Sequence, residues 1–494
     1  MMEFFSNFPF FCIILSLFTA VLCIFLKNRA ARNLLLCSWG AQFCLTAATF
    51  AMVLRSGESV TFLMGHFPAP WGNEIRFGVA ETAMALLFLT VLFLSLLGGW
   101  RYLERDVEKS KRNLYCILLS LLGAAMQALT YTNDLFTGYV FLEILTLTAC
   151  GVLMIRGVGR TTLAAVRYMI LNLVGSGLFL LGVILLYIYS GNLLMVSIHE
   201  SLGKLLSDPN ATRLPLVASV GLMTIGLGLK SGLFPFYFWM PDTYAYATPT
   251  SSSILSGVVS KGYILLLVKV FWRVIGRHDA AVVELRHLLI LLGLCGILCG
   301  SVGAIRQRRV DRMLAYSSAA QIGYIYLGIG LGGVAGFAAA LYQIAVHALT
   351  KPALFLSAAR LTEAGGGADF AHLRGSAAKN RYEGVIFTAG ALSMVGIPVF
   401  SGFAAKLVFG AAALAHERLV FVAVLAVIAV STLLHVLYYL RTVMTVFSPG
   451  EGGKTLPRDR RFLLAAGLLT LLNLLLGVFA GQILPLLEQG VGML

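Results

Sequence analysis

Apolar stretches of about 20 residues, each long enough to cross a hydrocarbon core of about 30 Å as a helix, recur from one end of this chain to the other. Spans are expected near 8–26, 33–54, 79–100, 113–131, 134–155, 164–189, 214–235, 249–272, 284–305, 312–332, 334–359, 384–412, 419–446 and 462–486. That pattern excludes a soluble fold. The 494 residues are 59% hydrophobic and 12% charged, whereas a soluble globular protein carries roughly 25% charged residues. The start, Met1 to Asn7, has no positive n-region and no small-residue cleavage site follows, so the first stretch is expected to be a spanning helix and not a signal peptide. An all-α integral membrane protein of about fourteen transmembrane helices is the expected fold class.

The net charge of +15 sits in short loops between apolar spans and not on one face of a domain, so no nucleic-acid partner is expected. The basic loops are 27–32 (Lys27, Arg29, Arg32), 101–112 (Arg101, Arg105, Lys109, Lys111, Arg112), 156–167, 306–312 (Arg306, Arg308, Arg309, Arg312), 360–381 and 441–461. They are alternate loops. The positive-inside rule then places them in the cytoplasm, with both termini on the outer side of what is expected to be a prokaryotic plasma membrane. Arg273, Arg277 and Arg286 fall on the other side against this rule. The stretch from Asn192 to Pro209 reads as a short interfacial helix, and Gly365-Gly366-Gly367 lies in a long cytoplasmic loop.

Cys12, Cys23, Cys37, Cys44, Cys116, Cys150, Cys295 and Cys299 lie in or beside apolar spans without the spacing of a zinc or iron–sulfur site, and read as small packing residues. No Gly-rich phosphate loop, nucleophile–base set or metal-ligand cluster is evident. The chain is therefore expected to hold no cofactor or metal and no catalytic site of its own.

An ionisable residue at mid-bilayer costs about 2.5–3.5 kcal/mol on insertion scales, so each needs a partner, a water-filled cavity or a function. Glu143, Lys230, Lys261, His347, Lys351, Lys406 and His435 all fall inside spans and outline a polar axis. Lys269 and Arg441, near span ends, read instead as cations reaching the interface along their apolar stems or held in satisfied buried ion pairs. Glu143 and Lys230 carry opposite charges deep in separate helices, and opening such a pair would change how firmly the lysine holds its proton. Helix breakers flank two of the lysines. Pro235 follows Lys230, and Pro398 precedes Lys406; at membrane depth a freed carbonyl is tolerated only where protein or cavity water satisfies it. Spans 7 and 12 are accordingly expected to be broken helices.

Lys230 to Lys406 is 176 residues, Lys261 to His435 is 174 and Asn172 to His347 is 175. A near-constant offset suggests two homologous five-helix units, spans 4–8 and 9–13, the second inverted because five is odd. The expected divisions are a three-helix segment (1–112), the first unit (113–275), the second (276–447) and a last helix (448–494). The counterpart of Glu143 falls near Ala319, so only the first unit has the acid; a neutral Gln321 stands close by.

These residues also carry a resemblance. The run from Lys230 to Lys261, with Phe234-Pro235-Phe236, Trp239-Met240-Pro241-Asp242, Thr248-Pro249-Thr250 and Leu255-Ser256-Gly257, resembles the antiporter-like subunits of NADH:quinone oxidoreductase, Mrp antiporters and membrane-bound hydrogenases. Asn133-Asp134-Leu135-Phe136, Phe141-Leu142-Glu143, Asp311-Arg312-Met313-Leu314, His347-Ala348-Leu349-Thr350-Lys351 and Ser393-Met394-Val395-Gly396-Ile397-Pro398 match as well. Phe67-Pro68-Ala69-Pro70-Trp71-Gly72 looks most like the D-type subunit of Mrp antiporters.

The resemblance implies a hydrated charge axis in which Glu143 and Lys230 are the paired carboxylate and lysine. Lys261 and His347 would be connecting residues and Lys406 the terminal lysine, with Lys351 and His435 on the same path. Arg167 stands where many members have a lysine and is a poorer proton carrier. The implied function is a proton-translocating subunit of a multisubunit complex, coupled to redox chemistry or to a counter-ion. Its partners would be the lipid bilayer and other membrane subunits, further antiporter-like ones included, and any iron–sulfur clusters would sit in partner subunits. The alternatives are a Mrp-type sodium/proton antiporter subunit without redox chemistry, and an inert membrane scaffold for a redox partner.

Overall fold

The computed structural model describes residues 2–67, 72–207, 212–450 and 453–494. Most of the Phe67 to Gly72 motif, from 68 to 71, lies outside the described residues. A chain in hydrocarbon must satisfy every backbone N–H and C=O internally, which leaves helices as the solution for this composition. Among the described residues twelve helices are long and apolar enough to cross a membrane.

The helices that position the site are, in chain order, α1 (Phe8–Phe25), α2 (Asn28–Ser56), α3 (Val79–Asp106), α4 (Arg112–Tyr131), α5 (Leu135–Met154) and α6 (Gly159–Ser190). A short α7 (Met195–Leu206) precedes α8 (Leu214–Ser231) and α9 (Met240–Tyr246). The span Pro249–Ile275, α10, contains π-helical turns at Leu255–Val259 and Val270–Ile275. After it come α11 (Val283–Ile305), α12 (Val310–Leu331), α13 (Gly333–Gly365), α14 (Arg381–Val395), α15 (Ser401–Ala413), α16 (Arg418–Phe447), α17 (Arg460–Val478) and α18 (Ala480–Met493). One antiparallel hairpin, Val60–Leu63 with Glu74–Phe77, closes the α2–α3 connection, pairing Val60 with Phe77. The expected interfacial helix is α7, which buries Met195, Ile198 and Leu202 on one face.

Two further elements fill expected spans beyond these twelve helices. α12 is 22 residues long, enclosed by α11 and α13, and carries Asp311 and Arg312 in its first turn. The other is the broken pair α14 and α15. Burial sorts the helices by role: α10 is wholly buried and α13 largely so, while α16 and α17 keep most of their surface outward. An apolar outer surface such as Leu419, Leu433 and Met444 of α16 suits lipid.

Both breaks fall where the prolines place them. α8 stops at Ser231, where Gly232 takes φ +81°, and helix resumes at Met240 after a tight turn at Phe236–Trp239. α14 stops at Val395, where Gly396 takes φ +88°, and helix resumes at Ser401. A left-handed backbone there favours glycine over residues with a Cβ. The two glycines are 164 residues apart, so the offset of 176 does not superpose the breaks. Lys230 stands in the last turn before its break; Lys406 stands after its own. The two lysines are matched in chemistry but not in register.

Candidate functional site: a buried polar axis

The first station is assembled by close helix packing. A Cβ on Gly175 of α6 would lie 2.7 Å from the Gly226 carbonyl oxygen of α8 and 3.1 Å from Lys230 Cγ, so only glycine lets these helices approach so closely. That approach brings Ser176 and Lys230 to Glu143 of α5. Lys230 Nζ lies 3.4 Å from Glu143 Oε1 and donates to Thr146 Oγ1 at 2.7 Å. Ser176 Oγ donates to the same carboxylate oxygen. The Lys230 side chain is fully enclosed, whereas that of Glu143 is 25% exposed. A carboxylate with one open side can leave its partner; the lysine cannot. The Tyr263 ring centre lies 5.5 Å from Lys230 Nζ, and its hydroxyl is within hydrogen-bonding distance of Thr146 (3.2 Å) and Tyr168 (3.3 Å).

The second station sits where α10 and α13 cross the core. Lys261 is fully buried; its ammonium donates to the Ser256 carbonyl, and to Ser260 Oγ at 3.2 Å. That carbonyl lies within the π-helical turn over 255–259. His347 lies close enough to Lys261 and Lys351 to feel both charges. Among the described residues neither of its ring nitrogens has a hydrogen-bond partner. Lys351, one turn on, donates to the Leu314 carbonyl (2.9 Å), Ser317 Oγ (2.8 Å) and Tyr439 OH (3.3 Å).

The third station continues along α16. Tyr439 stacks with Tyr438 at 4.7 Å between ring centres, and Tyr438 meets the His435 ring at 5.5 Å. His435 Nδ1 lies 3.1 Å from the Met394 carbonyl at the second break. Lys406 donates to the Val395 carbonyl at 2.5 Å and to Thr432 Oγ1 at 2.7 Å. A Cβ on Gly396 would come within 3.0 Å of its Nζ, so the break makes room for this ammonium. Near the place expected to match Glu143, Gln343 Nε2 donates to Gln321 Oε1 at 2.6 Å.

The seven residues expected on the axis lie on α5, α8, α10, α13, α15 and α16. The supporting hydroxyls of Thr146, Ser176, Tyr263, Ser317 and Tyr439 were not singled out from sequence. Their signal is only a Ser, Thr or Tyr in an apolar helix, which is common. Arg167 turns away from the axis and pairs with Asp242 at 3.0 Å, while Arg312 of α12 meets the other Asp242 oxygen at 2.8 Å.

Two expectations are corrected. Lys269 does not reach an interface: it is fully buried and donates to the carbonyls of Leu129 (2.9 Å), Thr130 (2.5 Å) and Thr132 (2.9 Å). The end of α4 supplies carbonyls left without helical donors, and the ammonium takes them. Arg441 is exposed, over the Phe370 ring at 5.0 Å, as expected of an interfacial cation. Arg273 is not a loop charge. It forms a buried ion pair with Glu81, and donates to Asn133 Oδ1 (3.2 Å) and the Leu494 carbonyl (2.6 Å). One of the three cations that ran against the positive-inside rule is thereby explained by a partner. Among the described residues no group of three or more His, Cys, Asp or Glu side chains is placed to hold a metal ion.

Comparison with known proteins fits this geometry. The family described as NADH:quinone oxidoreductase/Mrp antiporter, TM, matches residues 132–434, the stretch that carries Glu143, Lys230, Lys261, His347, Lys351 and Lys406 and ends one residue before His435. The N-type subunit of the NADH-quinone oxidoreductase of Desulforudis audaxviator is 32% identical over 450 residues, covering 90% of this chain and 87% of that protein. The D-type subunit of the Na(+)/H(+) antiporter of Bacillus subtilis is 29% identical over 497 residues, covering 98% of this chain and 96% of that one. In fold, a chain of the membrane-bound sulfane sulfur reductase, an archaeal respiratory membrane complex, matches with a TM-score of 0.88 at 24% identity, over 99% of this chain and 97% of its own.

Proposed function

The chain belongs to the NADH:quinone oxidoreductase/Mrp antiporter transmembrane family, and from that premise we propose that it is a proton-translocating subunit of a multisubunit membrane complex. The observation that carries this reading is the Glu143–Lys230 contact of 3.4 Å, in which a fully enclosed ammonium faces a partly open carboxylate and a neutral hydroxyl.

The pair works as a switch. With Glu143 in place, the Lys230 ammonium has a counter-charge and keeps its proton. When the carboxylate moves away, Thr146 still accepts a hydrogen bond but offers no charge, and an ammonium in apolar surroundings then gives up its proton more readily. The proton passes to Lys261 as that residue gives up its own, then through His347 and Lys351 along Tyr439, Tyr438 and His435 to Lys406. Buried polar groups such as the His347 nitrogens are met by water when protein offers no partner, so a short chain of waters completes the relay. Lys406 ends the path in a cradle of neutral oxygens, which holds a proton less firmly than a carboxylate does.

The divisions 113–275 and 276–447 are then two inverted units sharing one axis, bridged on the surface by the Asp242 contacts, with 1–112 and 448–494 flanking them. Both termini lie on the outer side in this arrangement. Energy comes from partner subunits, which carry any iron–sulfur clusters. A second reading, sodium/proton exchange without redox chemistry, is favoured by the nearly full-length likeness to the antiporter protein of Bacillus subtilis.

Two experiments decide. Replacing Lys261 by leucine in the assembled complex should stop proton translocation into inverted vesicles; unchanged translocation would favour an inert scaffold. Iron analysis of the complex purified through a tag on this chain separates the two transport readings, because iron–sulfur subunits mean a redox-driven pump.

A further inference from the structure

We infer that a groove on the outside of the bundle, along α2, α3 and α17, holds one anionic phospholipid. Two cavities mark its ends. At the end facing the basic loops, a cavity of 320 Å³ lies where Trp100, Arg101 and Glu104 of α3 meet Arg458, Asp459, Arg460 and Arg461 at the start of α17. Arg32 of α2 joins them, its guanidinium 4.9 Å from the Trp100 ring centre and within electrostatic reach of Arg461. Deeper in the membrane, a cavity of 400 Å³ is lined almost entirely by carbon, from Phe43 of α2, Leu87 of α3, and Leu472 and Leu475 of α17.

Helical spacing joins the two cavities into one groove. Leu87, Thr90, Leu97 and Arg101 recur at helical intervals and form a single stripe of α3, the floor. Arg32, Leu36, Gly40 and Phe43 form a stripe of α2, one wall, and Gly40 faces open space, since a Cβ there meets nothing within 4 Å. Arg461, Leu468, Leu472 and Leu475 form the other wall on α17. From Arg461 to Leu475 is a rise of about 21 Å, enough for a headgroup and most of an acyl chain in one leaflet.

The charges select the occupant. Arg101 is matched by Glu363 at 3.0 Å, but among the described residues no ion pair involves Arg32, Arg460 or Arg461. Glu104 and Asp459 line the same cleft, but Arg101, Arg458, Arg460 and Arg461 outnumber them, and a phosphate accepts the paired N–H donors of the guanidinium groups left over. Basic pockets between helices on the cytoplasmic side are lipid headgroup sites for that reason, and tryptophan suits the same depth. An apolar helix of a partner protein would fill the carbon-lined end and leave the arginines unmatched. This site does not depend on whether the axis moves protons.

The test uses the complex purified through this chain, stripped of loosely held lipid and titrated with phosphatidylglycerol or phosphatidylcholine of the same acyl composition, with binding read by native mass spectrometry. Phosphatidylglycerol should be retained in preference, and Arg32→Gln with Arg461→Gln should lower its retention about tenfold or more relative to phosphatidylcholine. Gly40→Trp, which fills the wall without touching the arginines, should lower retention of both lipids. No preference in the unaltered protein, or equal retention after the arginine changes, would overturn the inference. So would a photoreactive group at Phe43 that labels another protein instead of lipid.

Discussion

The two halves of the axis hold their lysines differently. In the first, Lys230 faces a carboxylate at 3.4 Å, which Ser176 steadies and which stays a quarter exposed. In the second, Lys406 is held by a backbone carbonyl and a threonine hydroxyl, and an amide pair, Gln321 with Gln343, stands near the place of the missing acid. A charge pair can be opened to change how firmly a proton is held; a cradle of neutral oxygens has no such setting. Under the proposed mechanism the switch therefore belongs to the first half, and the second conducts and releases.

That contrast can be broken from either side. The largest effect is expected for Lys230→Met, which removes the switched group: proton translocation in inverted vesicles should fall at least tenfold with the complex still assembled. Lys406→Met should also stop net translocation, but proton exchange between Lys230 and the interior should survive, seen as pH-dependent infrared changes of the Glu143 carboxyl that Lys230→Met abolishes. Gln321→Glu gives the second half an acid. The carboxylate should slow release, lowering translocation about threefold to tenfold, and its burial should cost about 1–3 kcal/mol in thermal unfolding. The smallest effect is expected for Asp242→Asn: its contacts with Arg167 and Arg312 are part-exposed and worth about 0–1 kcal/mol each, so stability should shift within that range and translocation should hardly change.

How far the sequence reached is clear from particular residues. The helical membrane fold, both breaks and the burial of the charged residues inside helices were legible, because an apolar period, a proline and an isolated charge each have one dominant physical reading in hydrocarbon. Lys269 was misread because distance from a span end does not reveal whether the neighbouring helix end offers free carbonyls. Arg273 was misread for a similar reason: its partner Glu81 lies 192 residues away at the start of another helix, and nothing local links them. The register of the breaks could have been read as well: Pro235 follows Lys230 whereas Pro398 precedes Lys406, and matching lysine to lysine gave 176 residues where matching glycine to glycine gives 164. Arg273 with Glu81 is also a control for the axis, a more deeply buried pair with both partners enclosed. Arg273→Gln should destabilise the chain by about 3–5 kcal/mol in thermal unfolding without altering protons moved per turnover in whatever complex assembles.

The most direct test of the account is proton translocation by the assembled complex carrying Glu143→Gln, which keeps the shape of the side chain and removes its charge. Loss of coupled translocation, with subunit composition unchanged, is the predicted result. Full translocation by that variant would contradict the account, because Lys230 would then be switched by something other than the carboxylate beside it.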